Sequence, residues 1–162
     1  VGTLVAQKLA ALGARVVAYR RSREALLSAA ARLGLEPAPS LEELFRRCEL
    51  VTLHVPYTSE THHLVSWRLL SSMARGSYLV NTARAWVVDG AALLRALDEG
   101  ILAGAAVDVH YHEPPREEWE WRLIRHPRVV ATPHIGAQTR EAGARIAKVL
   151  AARLLEALEK VY

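Results

Sequence analysis

Apolar positions along this chain fall into two alternating rhythms. Leu4, Val5, Leu9 and Leu12 recur at helical spacing, so the opening residues predict a helix that Gly13 stops. The compact run Arg15-Val16-Val17-Ala18-Tyr19 then predicts a buried strand. A second helix starts at Ser22 and ends at Gly34, Glu36-Pro37-Ala38-Pro39 predicts a turn, and Ser40-Leu41-Glu42-Glu43 has the spacing of a capping box that opens a third helix. Leu50 to Val55 reads as a strand ended by Pro56, and Ser66 as the cap of a short helix running to about Met73. Ser77 to Asn81 is the next strand, and Asp89 opens a helix through Leu97 that Gly100 ends. Leu102 to Val109 is apolar, and a loop over Tyr111–Pro115 leads through a charged segment with Trp119 and Trp121. Val129-Val130-Ala131-Thr132 is a last strand closed by Pro133, followed by a long amphipathic helix from about Gln138 to Leu158.

Strands and helices joined by short connections imply βαβ units. The expected fold is therefore α/β, a doubly wound parallel sheet of the Rossmann type with helices on both faces. With no internal repeat, low-complexity tract or linker, residues 1–162 read as one domain.

Composition narrows the function. About half the residues are apolar and under a quarter charged, as in a globular domain. The formal charge of +4 is spread along the chain rather than gathered in one tract, which argues against nucleic acid as a partner. No apolar run reaches the length of a membrane span, and no signal-peptide pattern opens the chain. The single cysteine, Cys48, allows no internal disulfide, reads as a small buried residue and fits a cytoplasmic location. The only methionine is Met73, and the chain runs from Val1-Gly2 straight into a helix with no strand before it. The expectation is an N-terminally truncated piece of a longer protein, lacking a first strand and a substrate domain.

Four residues that can carry chemistry sit where strands end: Arg84, Asp108, Glu113 and His134. In a parallel sheet such ends converge on the ligand-binding edge. His134 lies just past Pro133, where Gly136 is expected to free the backbone. An arginine grips a carboxylate with two parallel bonds, a histidine exchanges a proton near neutral pH, and a carboxylate beside the ring orients it. That set suits oxidation of an alcohol next to a carboxylate, with a cofactor taking the hydride. Arg84 and Asp108 read also as structural ion-pair partners, and His134 as a loop histidine bonded to its neighbours.

The start of the chain supplies the cofactor. Val1 and Gly2 stand at the head of the first helix, and Gly2 is placed as the third glycine of a G-x-G-x-x-G turn whose earlier part is absent. The spacing from there to the end of the next strand is right for the residue that meets the adenosine ribose. An acidic residue at that point would favour NAD. Here Arg20-Arg21-Ser22 offers two cations and a hydroxyl, suited to a 2′-phosphate and hence to NADP, unless the arginines are simply solvated.

Leu53-His54-Val55-Pro56, Asn81-Thr82-Ala83-Arg84, Val87-Val88-Asp89, Ala106-Val107-Asp108-Val109, Glu113-Pro114-Pro115 and Pro133-His134-Ile135-Gly136-Ala137 occur in that order with characteristic spacing. Together they resemble the signatures of the D-isomer-specific 2-hydroxyacid dehydrogenases, over essentially the whole chain and nearest to the phosphoglycerate dehydrogenase branch. The resemblance implies that Arg84 binds the substrate carboxylate, His134 is the acid/base and Glu113 pairs with it. It implies that Asp108 contacts the nicotinamide amide, Val55 and Pro56 line the adenine side, and Thr82 and Ala83 approach the cofactor. The expected substrate is a small 2-oxo or 2-hydroxy acid, the cofactor NAD or NADP, and the assembly a homodimer in which this domain supplies the contact.

The chain departs from that family pattern in two places. Ala85 and then Trp86 follow Arg84, where glycine is usual, and Trp86 bears on which acid fits. Arg20 replaces the usual acidic residue, which keeps an NADPH-dependent glyoxylate or hydroxypyruvate reductase open as an alternative. A third alternative is a non-catalytic, dinucleotide-sensing dimerisation module. His110 and His112 lack a further ligand at metal spacing, so no metal site is expected, and His62 and His63 are expected on an exposed turn.

Overall fold

A computed structural model describes residues 1–159 of the 162. The elements in chain order are α1 (Gly2–Ala11), β1 (Val17–Ala18), α2 (Arg23–Leu33), β2 (Glu36–Pro37), α3 (Leu41–Arg47), β3 (Leu50–Leu53), α4 (Trp67–Leu70), β4 (Ser77–Asn81), α5 (Gly90–Asp98), β5 (Leu102–Val107), α6 (Glu118–Ile124), β6 (Val129–Ala131) and α7 (Arg140–Glu159). A 3-10 turn, Ala85–Val87, lies between β4 and α5.

Local chemistry sets most boundaries. The Ser22 hydroxyl accepts from Ala25 N–H at the head of α2, Ser40 from Glu43 N–H at α3, and the Asp89 carboxylate from Ala91 and Ala92 N–H at α5. Gly34 ends α2 in the left-handed conformation at φ 65°, which costs a glycine little. Ser66 precedes α4 but its side chain caps nothing, and α4 ends at Leu70 rather than reaching Met73. Cys48 is half-buried rather than fully enclosed.

All strand pairs are parallel, as expected, but they form two sheets rather than one: β1 with β2, and β3-β4-β5-β6. The segment read as a turn at Glu36-Pro37 is in fact β2. Pro37 is tolerated because the bonds to β1 come from its neighbours, Glu36 N–H to Val16 O at 3.0 Å and Ala38 N–H to Ala18 O at 2.8 Å. The apolar runs predicted as strands are longer than the paired strands they contain: β1 keeps only two residues, β3 ends at Leu53 and β5 at Val107. Helix α6 falls in the charged segment, where alternating Glu and Trp give no clear helical stripe.

The core lies between the four-stranded sheet and α4 and α5, with Leu69, Leu70, Leu79, Leu93, Leu97 and Leu102 almost wholly enclosed. Burial of such leucines is the main stabilising term, about 1.5–3 kcal/mol per side chain. Register then does the positioning. Leu53 pairs with Asn81, Asn81 with Val107, and Val107 with Ala131, so the last residues of all four strands stand in one row. Each is followed immediately by a loop carrying candidate residues.

Candidate active site

The row ending β3, β4, β5 and β6 delivers four loops to one sheet edge: His54-Val55-Pro56, Thr82-Ala83-Arg84, Asp108 to Glu113, and Thr132 to Gly136. The best-defined contact there joins the third loop to the fourth. Nδ1 of His134 donates to Oε1 of Glu113 at 2.7 Å, with both side chains partly open to solvent. With Nδ1 so engaged, Nε2 is the ring nitrogen left to exchange a proton with another molecule.

The backbone of His134 is itself unusual. It adopts φ 54°, in the left-handed region that non-glycine residues rarely occupy. The left-handed residue of this loop is therefore the histidine, not Gly136. Asp108 holds the turn together: Oδ1 accepts from the Thr132 hydroxyl and from Ile135 N–H at 3.0 Å, and Oδ2 from Gly136 N–H at 2.8 Å. Glycine is needed at 136 because a Cβ would stand 2.8 Å from Asp108 Oδ2. Burial pushes the Asp108 carboxyl up, but the Thr132 hydroxyl, the Gly136 and Ile135 N–H groups and the neighbouring His134 outweigh it and hold it below the usual carboxylate value. Through these bonds Asp108 shapes the His134 loop, a role the sequence alone does not reveal.

Arg84 stands at the end of β4 on a braced loop. The buried Asn81 side chain accepts from Ala83 N–H at 3.0 Å and donates to Arg84 O at 3.0 Å. This is the local turn an asparagine can impose, and it is the signal by which the residue could have been singled out. The Arg84 guanidinium is exposed and donates to Ala83 O at 2.7 Å. Among the described residues it makes no hydrogen bond or ion pair with Asp108, Glu113 or His134, so the arginine and the imidazole share an edge without sharing a contact. The structural ion pair between Arg84 and Asp108 is not formed.

Trp86 belongs to a different arrangement from the one its position suggests. Its Nε1–H donates to Tyr111 O at 3.2 Å, and the Tyr111 hydroxyl donates back to Val88 O at 2.9 Å. The two side chains thereby lace the Arg84 loop to the Glu113 loop. His62 and His63 lie in a turn, as expected, and stack on each other at 4.0 Å near-parallel to the Trp86 ring; His62 is exposed but His63 is half-buried.

At the cofactor end, α1 opens at Gly2 with no side-chain cap and no acidic residue in its first turn, which leaves its N–H groups free for an anion. A Cβ on Gly2 would come within 3.2 Å of His54 Cβ, so Val1 and Gly2 lie against the loop that follows β3. Burial pushes the His54 imidazole below its usual value. Arg20, Arg21 and Ser22 are exposed at the head of α2, where Arg21 is ion-paired with Glu60 of the loop after β3. Val55 is half-buried against the core, while Pro56 and Thr82 are exposed and Ala83 is partly covered. These residues fit a dinucleotide laid along the edge, with its diphosphate at α1 and a ribose at α2. Among the described residues no group of three or more His, Cys, Asp or Glu could hold a metal ion, and no helix is long and apolar enough to cross a membrane.

Comparison with known proteins gives a consistent picture. Residues 1–136 match the family model described as D-isomer specific 2-hydroxyacid dehydrogenase, NAD binding domain. The chain is 36% identical over 158 residues to D-3-phosphoglycerate dehydrogenase of Rattus norvegicus, covering 96% of this chain and 28% of that protein. It is 36% identical over 155 residues to glyoxylate reductase of Thermococcus litoralis, covering 96% and 45%. Among solved structures, D-lactate dehydrogenase of Aquifex aeolicus, complexed with NAD and lactic acid, superposes with a TM-score of 0.80 at 33% identity, covering 98% of this chain and 51% of that one. The chain thus spans between about a quarter and a half of these relatives.

Proposed function

The chain belongs to the D-isomer-specific 2-hydroxyacid dehydrogenases, in whose NAD-binding domain its residues 1–136 fall, and from that premise we propose that it is the cofactor-binding part of an oxidoreductase acting on a 2-hydroxy or 2-oxo acid, of the D-3-phosphoglycerate dehydrogenase kind. The observation that carries the proposal is the 2.7 Å contact between Glu113 and His134 at the sheet edge. It fixes the ring and leaves Nε2 for the substrate. The nicotinamide cofactor supplies or accepts the hydride.

In the reductive direction the 2-oxo carbon receives the hydride and its oxygen takes a proton from Nε2 of His134. Glu113 stabilises the imidazolium before that transfer. Arg84 holds the carboxylate of the acid in a two-bond grip, which fixes the carbonyl relative to the histidine. In the oxidative direction His134 removes the hydroxyl proton. Val1 and Gly2 hold the diphosphate, Val55 and Pro56 the adenine side, and Thr82, Ala83 and Gly136 the nicotinamide half. Asp108, whose Oδ2 has a single donor in Gly136 N–H, contacts the nicotinamide amide in this reading and also shapes the His134 loop.

We further propose NADP as the preferred cofactor. Arg20 is exposed with no partner among the described residues, and the Ser22 hydroxyl, an acceptor at the α2 cap, keeps its own proton to donate to a phosphate. Arg20 is also the observation that favours a second reading, an NADPH-dependent glyoxylate or hydroxypyruvate reductase. Residues 1–162 form one dinucleotide-binding unit in this reading, completed by an upstream strand between β1 and β3 and by a separate substrate domain. A homodimer and a cytoplasmic location complete the proposal.

The test is a screen of 2-oxo acids, including phosphohydroxypyruvate, glyoxylate and hydroxypyruvate, with NADH and NADPH and the complete protein. Turnover of one acid identifies the branch. Cofactor binding without oxidation of it would replace the enzyme by a dinucleotide sensor.

A further inference from the structure

We propose that Glu120 is a positioning residue for the Glu113–His134 pair, a second carboxylate that grips the chain on both sides of Glu113. The inference rests on the acid/base reading of His134 given above. Glu120 is 2% exposed, although it stands in a run of charged residues on α6. A carboxylate that far from water is costly unless every acceptor site is used. Here each oxygen has a partner on the loop that carries Glu113, and Glu117 N–H adds a longer contact to Oε2 at 3.5 Å that closes the capping box of α6. Oε1 takes a hydrogen bond from Nδ1 of His112 at 2.5 Å, just before Glu113, and Oε2 takes one from Arg116 N–H at 2.8 Å, just after Pro114-Pro115.

Glu113 itself is exposed and has little to hold it. Its Oε1 meets His134 and, more distantly, His110 N–H at 3.4 Å. The span from His112 to Arg116 is therefore clamped at its ends by a buried group while its middle residue faces the site. Asn81, which braces the Arg84 loop, lines with Glu120 a common cavity of about 10 Å³ under the same edge. Burial raises the Glu120 carboxyl, but the His112 and backbone hydrogen bonds prevail and hold it below the usual carboxylate value.

A residue that only stabilises the fold and one that aims Glu113 differ in what their loss does. In the complete protein, Glu120→Ala is expected to lower kcat about tenfold to a hundredfold, as small misplacements of a reacting group do. Here kcat is counted per cofactor-binding site, and KM for the acid and Kd for the cofactor should stay within about twofold of wild type. Glu120→Gln, whose amide can still accept from Arg116 and donate to a neutral His112, should recover most of the loss. His112→Ala, which breaks one grip and leaves α6 intact, should fall between the two and gives the answer if Glu120→Ala does not fold. Unchanged kcat per site in Glu120→Ala or His112→Ala, or a parallel loss of cofactor binding, overturns the proposal. A readout free of turnover separates it from its parent reading: the hydrogen-bonded Nδ1–H resonance of His134, assigned through a Glu113→Gln control. That resonance should vanish in Glu120→Ala even if His134→Ala proves catalytically silent, and its persistence sinks the positioning role alone.

Discussion

Gly136 lies against Asp108 so closely that a methyl group has no room: its N–H reaches Oδ2 at 2.8 Å, and a Cβ would stand at the same 2.8 Å. The oxygen cannot yield, because Asp108 is 8% exposed and bonded to Thr132 and Ile135 as well. Gly136→Ala is therefore expected to displace the turn that carries His134, destabilising the protein by about 1–3 kcal/mol, as overpacking does. Urea unfolding with unchanged midpoint and unchanged turnover would contradict it.

The two halves of substrate handling should separate kinetically. Removing His134 as alanine is expected to slow kcat about 10²–10⁴-fold while leaving cofactor affinity unchanged. Arg84→Ala should instead act on kcat/KM for the acid by about 10- to 150-fold, the worth of about 1.5–3 kcal/mol for a hydrogen bond to a charged group. Both are read by the oxidation of reduced cofactor in steady state. A common effect on KM alone would show that His134 only binds.

Cofactor choice turns on charge at the head of α2. Arg20→Ala is expected to weaken NADPH binding about tenfold and leave NADH within twofold, the loss of one charge-assisted contact. Arg21 is partly neutralised by Glu60, so Glu60→Gln should strengthen NADPH binding. The pair is exposed, and its release is worth about 1 kcal/mol or less, a gain of about fivefold at most that fades with salt. Tighter binding of NADH than NADPH by tenfold at moderate salt would remove the preference.

Acid should loosen the active edge before neutral pH does. Asp108 and Glu120 both have carboxyl groups held below their unfolded values. Their contribution to stability is complete above the ordinary carboxylate range of about 4, and it is lost as pH falls through the lower folded values. Unfolding free energy from urea titrations is thus expected to drop below about pH 4, with a shallower drop in Asp108→Asn. Equal slopes in variant and wild type would assign the loss to other carboxylates.

Much of this was legible in the residue pattern because it is local. Ser22, Ser40 and Asp89 each satisfy N–H groups within three residues, and the sequence shows both partners at once. The loops at the sheet edge could be named in advance for a related reason, since parallel strands ending in Asn81, Val107 and Ala131 put them there by register. What escaped depends on partners distant along the chain. Glu36-Pro37 pairs as a strand only because β1 lies beside it, and Glu120 differs from its charged neighbours only in the loop folded over it. Gly136 is needed for a reason the sequence does not show, since crowding by a carboxylate 28 residues earlier leaves no mark on local backbone preference.

The division of the strands into a pair and a quartet has a practical consequence. β3 carries a full row of backbone groups on its outer flank, with Leu50 48% exposed beside it, and β1 does the same on a smaller scale. Ribbons left bare in this way recruit one another between molecules. Residues 1–162 produced in isolation are therefore expected to clump as their concentration rises, and a flanking segment that seats itself along β3 would act as an internal solubiliser.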